Sequence, residues 1–323
     1  MTHAIRIHAF GDPEVLQWEE VSVGDPGPGE VRLRHRAIGI NYVEVQQRRG
    51  RMPNPLPFIP GREGAGVVEA LGQGVEDLAV GDRVAYAPVT GSYSEVRLIA
   101  ADRLIKLPDQ IDDRTAAAMM LQGMTAQYLL RQIHHVGPDD VVLVHAAAGG
   151  MGLFLCQWAA ALGATVLGTV SSEAKAQLAH ENGCRQPIIY AREDVPKEVD
   201  RITGGERATV VYDGVGRDTF MPSLDCLRRR GHIVSFGEAS GPVPALDIGL
   251  LGRKGSLTVS RGTLLDFIST REELLATAGE LFDVVVAGQV KVRINQTYPL
   301  REAAAAHRDL EGRRTTGSTI LLP

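Results

Sequence analysis

Cysteine is scarce in this chain: Cys156, Cys184 and Cys226 are the only three in 323 residues, widely spaced and without a CxxC pair. An odd, scattered set excludes a disulfide framework and a thiolate zinc cage, so all three are expected as buried or inert thiols. Long apolar runs are missing too. No stretch reaches the roughly 18 residues of a membrane span, and the opening Met1-Thr2-His3-Ala4-Ile5-Arg6 has no signal-peptide apolar region, so a cytoplasmic location is expected. Metal-ligand spacing is absent, since none of the nine histidines forms HxxxH or HxH. The adjacent His134 and His135 would point apart on a helix and could not share one ion. Excess positive charge is also lacking, with 34 basic against 39 acidic residues. Tight basic clusters such as Arg228-Arg229-Arg230 and Arg313-Arg314 are short and there is no long like-charge block, which argues against a nucleic-acid partner.

What is present is ordinary globular material, 44% hydrophobic and 23% charged, in a chain long enough for two domains. The first third reads as short strands broken by glycine and proline: Glu30 to Ile40, Gly66 to Leu71, Asp82 to Ala87 and Tyr93 to Ile99. The turns Asp25 to Gly29 and Val80-Gly81-Asp82 supply the fixed or positive φ that reversals need. From about Thr115, helices alternate with continuous apolar strands, as in a parallel sheet covered on both faces. The predicted strands are Val141 to His145, Ala164 to Val170, Gln186 to Tyr190, Thr209 to Asp213, His232 to Phe236 and Ser256 to Ser260. Helices are expected over Met151 to Leu162 and Ser172 to Asn182. After Arg261 come a long helix from about Thr270, a strand Val290 to Ile294, a helix from about Pro299 and a last strand Ser318 to Leu322. A lone strand at each end of this tail has no sheet of its own, so the tail is expected to return to the first domain.

Ala147-x-Gly149-x-x-Gly152 lies between a predicted strand and helix. A pyrophosphate needs backbone N–H donors at a helix N-terminus and residues small enough for close approach. The pattern alone is weak, but strand, turn, helix and second strand within ~30 residues strengthen it. The alternative is that these glycines only allow tight helix-to-sheet packing. NAD-selective sites usually carry Asp or Glu at the end of the second strand. Here that strand ends in Gly168-Thr169-Val170-Ser171-Ser172, and two hydroxyls with Lys175 suit the 2′-phosphate of NADPH. Glu173 complicates this argument, although just inside the helix it can serve the macrodipole. Lys175 could equally be a solvated surface residue.

Several motifs together resemble the zinc-free, zeta-crystallin-like NADPH:quinone oxidoreductases of bacteria, a branch of the medium-chain dehydrogenase/reductases. They are Gly39-Ile40-Asn41-Tyr42, Gly61-Arg62-Glu63-Gly64-Ala65-Gly66, Gly81-Asp82-Arg83-Val84, His145 to Gly152, Val211 to Gly216, Arg230-Gly231 to Gly237 and Tyr298-Pro299-Leu300, spread over nearly the full length. The resemblance implies an α/β fold, a Rossmann-type doubly wound parallel sheet (125–265) plus a GroES-like β-rich catalytic domain (1–124 and 266–323). It also implies that Gly149, Gly150 and Met151 lie at the pyrophosphate and that Ser171, Lys175 and Tyr190 surround the 2′-phosphate. Phe236 and Gly237 would line the ribose and nicotinamide side. Arg261 and Arg313 would approach the cofactor, and Asn41 and Tyr128 would face the nicotinamide. Zinc-bearing relatives have histidine where this chain has Arg62, and a four-cysteine lobe that it lacks. Bacterial relatives often have tyrosine at the position of Gln46, which bears on the shape of the quinone pocket.

Quinones are electrophilic, so hydride transfer from NADPH needs neither a metal nor a strong general acid. Asn41 is expected to orient the nicotinamide or the acceptor oxygen, with solvent or Tyr42 supplying the proton; a purely structural turn residue is the alternative. A reductase of α,β-unsaturated aldehydes or ketones would use the same hydride geometry. A non-catalytic NADPH-binding or nucleic-acid-binding protein is an alternative of another class. The strand Ser256 to Ser260 would be an uncharged sheet edge, and its pairing with a second copy predicts a homodimer.

Overall fold

The computed structural model describes residues 2–52 and 54–323. The chain divides into two compact units. One takes the described residues of Met1–Met124, Ile268–Val286 and Val292–Pro323, and the other takes Thr125–Phe267 and Ala287–Lys291.

The first unit begins with an antiparallel hairpin, β1 (Thr2–Arg6) on β2 (Gln17–Val21). Its main sheet is built on β3 (Glu30–Ile40), which pairs antiparallel with β4 (Gly64–Leu71) and with β6 (Val96–Ala100). Beyond β4 lie β5 (Arg83–Tyr86) and β7 (Ile105–Lys106). Along β3 burial alternates through Val31, Leu33, His35 and Ala37, then becomes continuous at Ile38, Gly39 and Ile40. Each fully buried isoleucine contributes on the order of 1.5–3 kcal/mol. The strand therefore delivers Asn41, at the start of α1 (Tyr42–Arg48), from inside a core. Helices α2 (Asp113–Ala117) and α3 (Met120–Tyr128) follow β7, and the carboxylate of Asp112 caps α2 by accepting from the N–H groups of Arg114 and Thr115.

The second unit is a six-stranded, all-parallel sheet. Its strands are β8 (Val141–Val144), β9 (Thr165–Val170), β10 (Gln186–Ile189), β11 (Ala208–Asp213), β12 (Leu227–Ser235) and β13 (Thr258–Ser260). Their spatial order is β10-β9-β8-β11-β12-β13, the doubly wound order with its switch beside β8. The connecting helices are α4 (Gly150–Ala161), α5 (Glu173–Glu181), α6 (Val195–Ile202), α7 (Phe220–Cys226) and α8 (Ile248–Arg253), and α9 (Leu264–Phe267) follows β13. Leu143, Leu167, Ile188, Val211 and Ile233 from the strands pack with Phe220 and Leu224 of α7. Cys156, Cys184 and Cys226 are free and buried.

The chain then returns to the first unit through α10 (Arg271–Val286), β14 (Ile294–Pro299), α11 (Ala303–Glu311) and β15 (Ser318–Leu322). β15 pairs antiparallel with β3 and parallel with β14. The strand predicted at Val290 to Ile294 is corrected to Ile294–Pro299. The reason is a long-range contact: the Gln157 side chain binds the Lys291 backbone on both sides, accepting its N–H at 2.9 Å and donating to its carbonyl at 3.1 Å. That backbone is thereby taken out of strand pairing.

Candidate functional site

The turn after β8 owes its shape to small residues. Ala146 adopts φ 53° and Gly149 donates its N–H to the Ala146 carbonyl at 2.9 Å, which closes the turn before α4 begins. A Cβ on Gly152 would fall 2.3 Å from the Ala146 oxygen and 2.7 Å from Ala147, so helix and turn touch there and only glycine fits. Gly149 differs, because a Cβ there would meet only the Ala146 oxygen, at 3.3 Å. The backbone N–H groups opening α4 thus have room above them, as an anion at a helix N-terminus requires.

The other residues expected at the cofactor in the second unit follow along the carboxyl edge of its sheet in strand order. Tyr190 follows β10 and Ser171 follows β9, and the register Ile189 to Val170 sets these two strand ends side by side. Ser172 caps α5 through the Lys175 N–H, which fixes the backbone of Lys175 in the first turn. Gly149, Gly150 and Met151 follow β8. Phe236 and Gly237 follow β12, where Gly237 packs so closely on Gly214 that a Cβ would lie 2.6 Å from its carbonyl oxygen. Arg261 follows β13, held by the Ser235 hydroxyl at 3.2 Å and the Glu238 carboxylate at 3.2 Å. Tyr128 is buried, its ring stacked on Phe267 at 4.5 Å and its hydroxyl donating to the Gly262 carbonyl at 3.4 Å. Burial pushes that phenol up to about 12.

Two contacts here were beyond sequence reasoning. Glu173, the acid that complicated the reading of the β9 tip, forms an ion pair with Arg192 at 2.5 Å. Arg192 lies just after Tyr190, so a second cation joins Lys175 at this corner. Glu238 is the second, as the acid that holds Arg261.

Asn41 and Arg313 belong to the first unit. Arg313 follows α11 with φ 57°, beside the exposed pair of Arg314 and Asp309 at 2.6 Å. Asn41 is buried in a polar cluster that no spacing in the sequence announces. Its side-chain Nδ2 donates to Glu63 Oε1 at 2.6 Å, and its Oδ1 accepts from Gln122 Nε2 at 3.0 Å. Its backbone N–H donates to Glu44 Oε2 at 2.6 Å, one half of a helix capping box. Glu63 Oε2 accepts the Leu121 N–H at 2.7 Å, and Gln122 Oε1 accepts the Ser318 hydroxyl at 3.1 Å. Both glutamates are buried. Burial raises the Glu44 carboxyl to about 8, reinforced by the neighbouring Glu63, and burial raises Glu63 to about 7. Both Glu63 oxygens accept bonds, whereas Glu44 Oε1 has no partner among the described residues. Between about pH 7 and 8 the pair therefore divides into a carboxylate at Glu63 and a neutral acid at Glu44, because the Glu63 charge makes ionising Glu44 more costly.

Among the described residues, no group of three or more His, Cys, Asp and Glu side chains could hold a metal ion. No helix among them is long and apolar enough to cross a membrane.

Residues 27–138 match the alcohol dehydrogenase GroES-like domain, and residues 150–282 match the family described as zinc-binding dehydrogenase. A quinone oxidoreductase of Pseudomonas aeruginosa is 50% identical over 325 residues, covering 100% of both chains. A 2-haloacrylate reductase of Burkholderia is 49% identical over 332 residues, covering 100% of this chain and 99% of its own. The crystal structure of Escherichia coli quinone oxidoreductase complexed with NADPH superposes with a TM-score of 0.97 at 47% identity, covering 99% of this chain and 100% of that one. With its parallel sheet, small-residue turn and β-rich first unit, the chain belongs to the quinone oxidoreductases of the medium-chain dehydrogenase/reductase family.

Proposed function

We propose that this protein is a zinc-free, NADPH-dependent quinone reductase. The observation that supports the cofactor reading is the tip of β9, where the ends of β9 and β10 set Ser171 and Tyr190 side by side, Lys175 stands in the first turn of α5, and Glu173, the acid of that turn, is already paired with Arg192. A hydroxyl and cation set of this kind suits a 2′-phosphate better than a bare ribose hydroxyl. The open face of Gly149 fits the pyrophosphate, and the E. coli relative carries NADPH. Arg62 stands where zinc-bearing relatives have histidine, which supports the metal-free reading.

NADPH, when bound, supplies hydride from its nicotinamide ring. The α4 N-terminus binds the pyrophosphate through backbone N–H groups, and Ser171, Lys175 and Tyr190 take the 2′-phosphate. Phe236, Gly237 and Arg261 serve the ribose and nicotinamide side, with Tyr128, and Arg313 adds a charge from the returning tail. Asn41 offers an amide N–H to the acceptor oxygen, where negative charge develops as hydride arrives. The uncharged edge β13 pairs with a second copy to form a two-fold dimer.

A second reading is favoured by the 49% identity to the 2-haloacrylate reductase: reduction of a C=C bond conjugated to a carbonyl, with the same donor at the acceptor oxygen. The deciding experiment follows NADPH oxidation with a naphthoquinone and with an alkenal. Quinone turnover is expected, and turnover of the alkenal alone would replace the first reading with the second.

A further inference from the structure

We propose that Glu63 is a positioning residue that fixes the orientation of the Asn41 amide, so that Asn41 presents an N–H donor of defined direction, and that Glu44 completes the clamp through the Asn41 backbone. This rests on the reading of Asn41 as the residue that bonds the acceptor oxygen.

An asparagine amide is nearly isosteric when turned by half a rotation, so its two orientations differ only in which neighbours can donate and accept. Around Asn41 the neighbours are of opposite kind. Glu63 Oε1 accepts from Nδ2 at 2.6 Å, and Gln122 Nε2 donates to Oδ1 at 3.0 Å. Turning the amide would set an oxygen against the Glu63 carboxylate and an NH2 against the Gln122 NH2. Glu63 is itself held as an acceptor, since its second oxygen takes the Leu121 N–H, a group that can only donate. With one Nδ2 hydrogen committed to Glu63, the other is the single donor left on the side chain.

The fold makes room for this contact. Gly39 is the residue of β3 beside Glu63, and a Cβ there would lie 2.3 Å from Glu63 Oε1 and 2.3 Å from the Ala117 oxygen. Glu44 occupies the third position of α1 as a fully buried residue, where a capping glutamate would ordinarily be solvated. Two carboxyls are thus kept from water to hold one asparagine by its backbone and its side chain.

The test is a double-mutant cycle on the full chain, Glu63→Gln with Asn41→Ala, using whichever acceptor the wild type reduces. Glu63→Gln keeps the volume but replaces an acceptor with an NH2. It is expected to lower kcat roughly 10- to 100-fold, with the Kd for NADPH within about twofold. In the Asn41→Ala background the same change is expected to move kcat by less than about twofold. An equal loss in both backgrounds, or no loss in either, overturns the proposal. If Glu63→Gln fails to fold, Gln122→Met releases the other end of the amide, and its kcat loss must likewise vanish in Asn41→Ala. A readout independent of turnover is hydrogen exchange of the Asn41 side-chain amide by NMR, slow in the wild type and accelerated in either variant. Equal exchange rates overturn the clamp, and this holds even if no quinone or enone is reduced, a result that would remove the proposed function instead.

Discussion

Arg192 Nη2 lies 2.5 Å from Glu173 Oε1, so the acid nearest the end of the second Rossmann strand is neutralised by a residue 19 positions later. Freed, Glu173 would repel a 2′-phosphate and accept a bond from a ribose hydroxyl. Arg192→Ala is therefore expected to raise the KM for NADPH by roughly 3- to 10-fold, a modest value because the pair is exposed. The KM for NADH should stay level or fall. Steady-state kinetics with both cofactors checks this, and an unmoved NADPH value refutes it.

Gly149 and Gly152 should respond differently to alanine. At Gly152 the added Cβ would overlap the Ala146 and Ala147 backbone, with a cost of about 1–3 kcal/mol or more in unfolding free energy. At Gly149 the nearest protein atom is the Ala146 carbonyl oxygen at 3.3 Å, a tight contact that a small shift of the turn relieves, so the variant should lose clearly less stability than the Gly152 variant. Its affinity for NADPH should nevertheless fall about tenfold or more, because the methyl group enters the space of the pyrophosphate. Urea titration and cofactor-binding isotherms on the two variants separate the effects.

The buried glutamates set a pH dependence of stability. Both carboxyls have folded pKa values raised above the ordinary value of 4.5, to about 8 for Glu44 and about 7 for Glu63. The folded state thus holds protons that the unfolded chain releases. The stability linked to this pair is complete below about pH 4.5 and is lost as pH rises through about 7 and 8. Glu44→Gln mimics the neutral acid and can still accept the Asn41 N–H. Its melting temperature should match the wild type near about pH 5 and exceed it by several degrees near about pH 9, since only Glu63 then remains to ionise. Identical melting profiles across that range would contradict the assignment.

At the sheet edge, Thr258→Lys introduces the kind of charge that keeps edge strands apart. Light scattering should find the wild type at about twice the 34.8 kDa chain mass and the variant shifted toward the monomer. A monomeric wild type at micromolar concentration would end the dimer proposal.

Much of the fold was legible because its signals are local. β3 and β15 carry the bounds the apolar pattern predicted, and Ser172 stands at the start of α5 as a capping residue should. The hairpin of β1 and β2 was not legible, since its pairing spans a ten-residue connection without a tight-turn dipeptide. Val290 to Ile294 alternates as well as Ile294 to Tyr298 does, and only the Gln157 contact, from 134 residues away, decides between them. The same limit governs the site. The phosphate turn is contiguous in sequence and could be read, whereas Asn41, Glu63, Gln122 and Ser318 meet only through folding. Glu63 was visible within a motif, but nothing along the chain indicated which amide it holds.

The three thiols acquire a meaning from the proposed substrate. Quinones arylate accessible sulfur nucleophiles by conjugate addition, and the attacking species is the thiolate. Cys156, Cys184 and Cys226 are all buried, and these are the chain's entire complement. The neighbouring Cys184, together with burial, pushes the Cys156 thiol up, and burial pushes Cys226 up to about 12. The chain thus presents no exposed thiol for its own electrophilic substrate to arylate, and tolerance of repeated exposure to that substrate is built into where its cysteines lie.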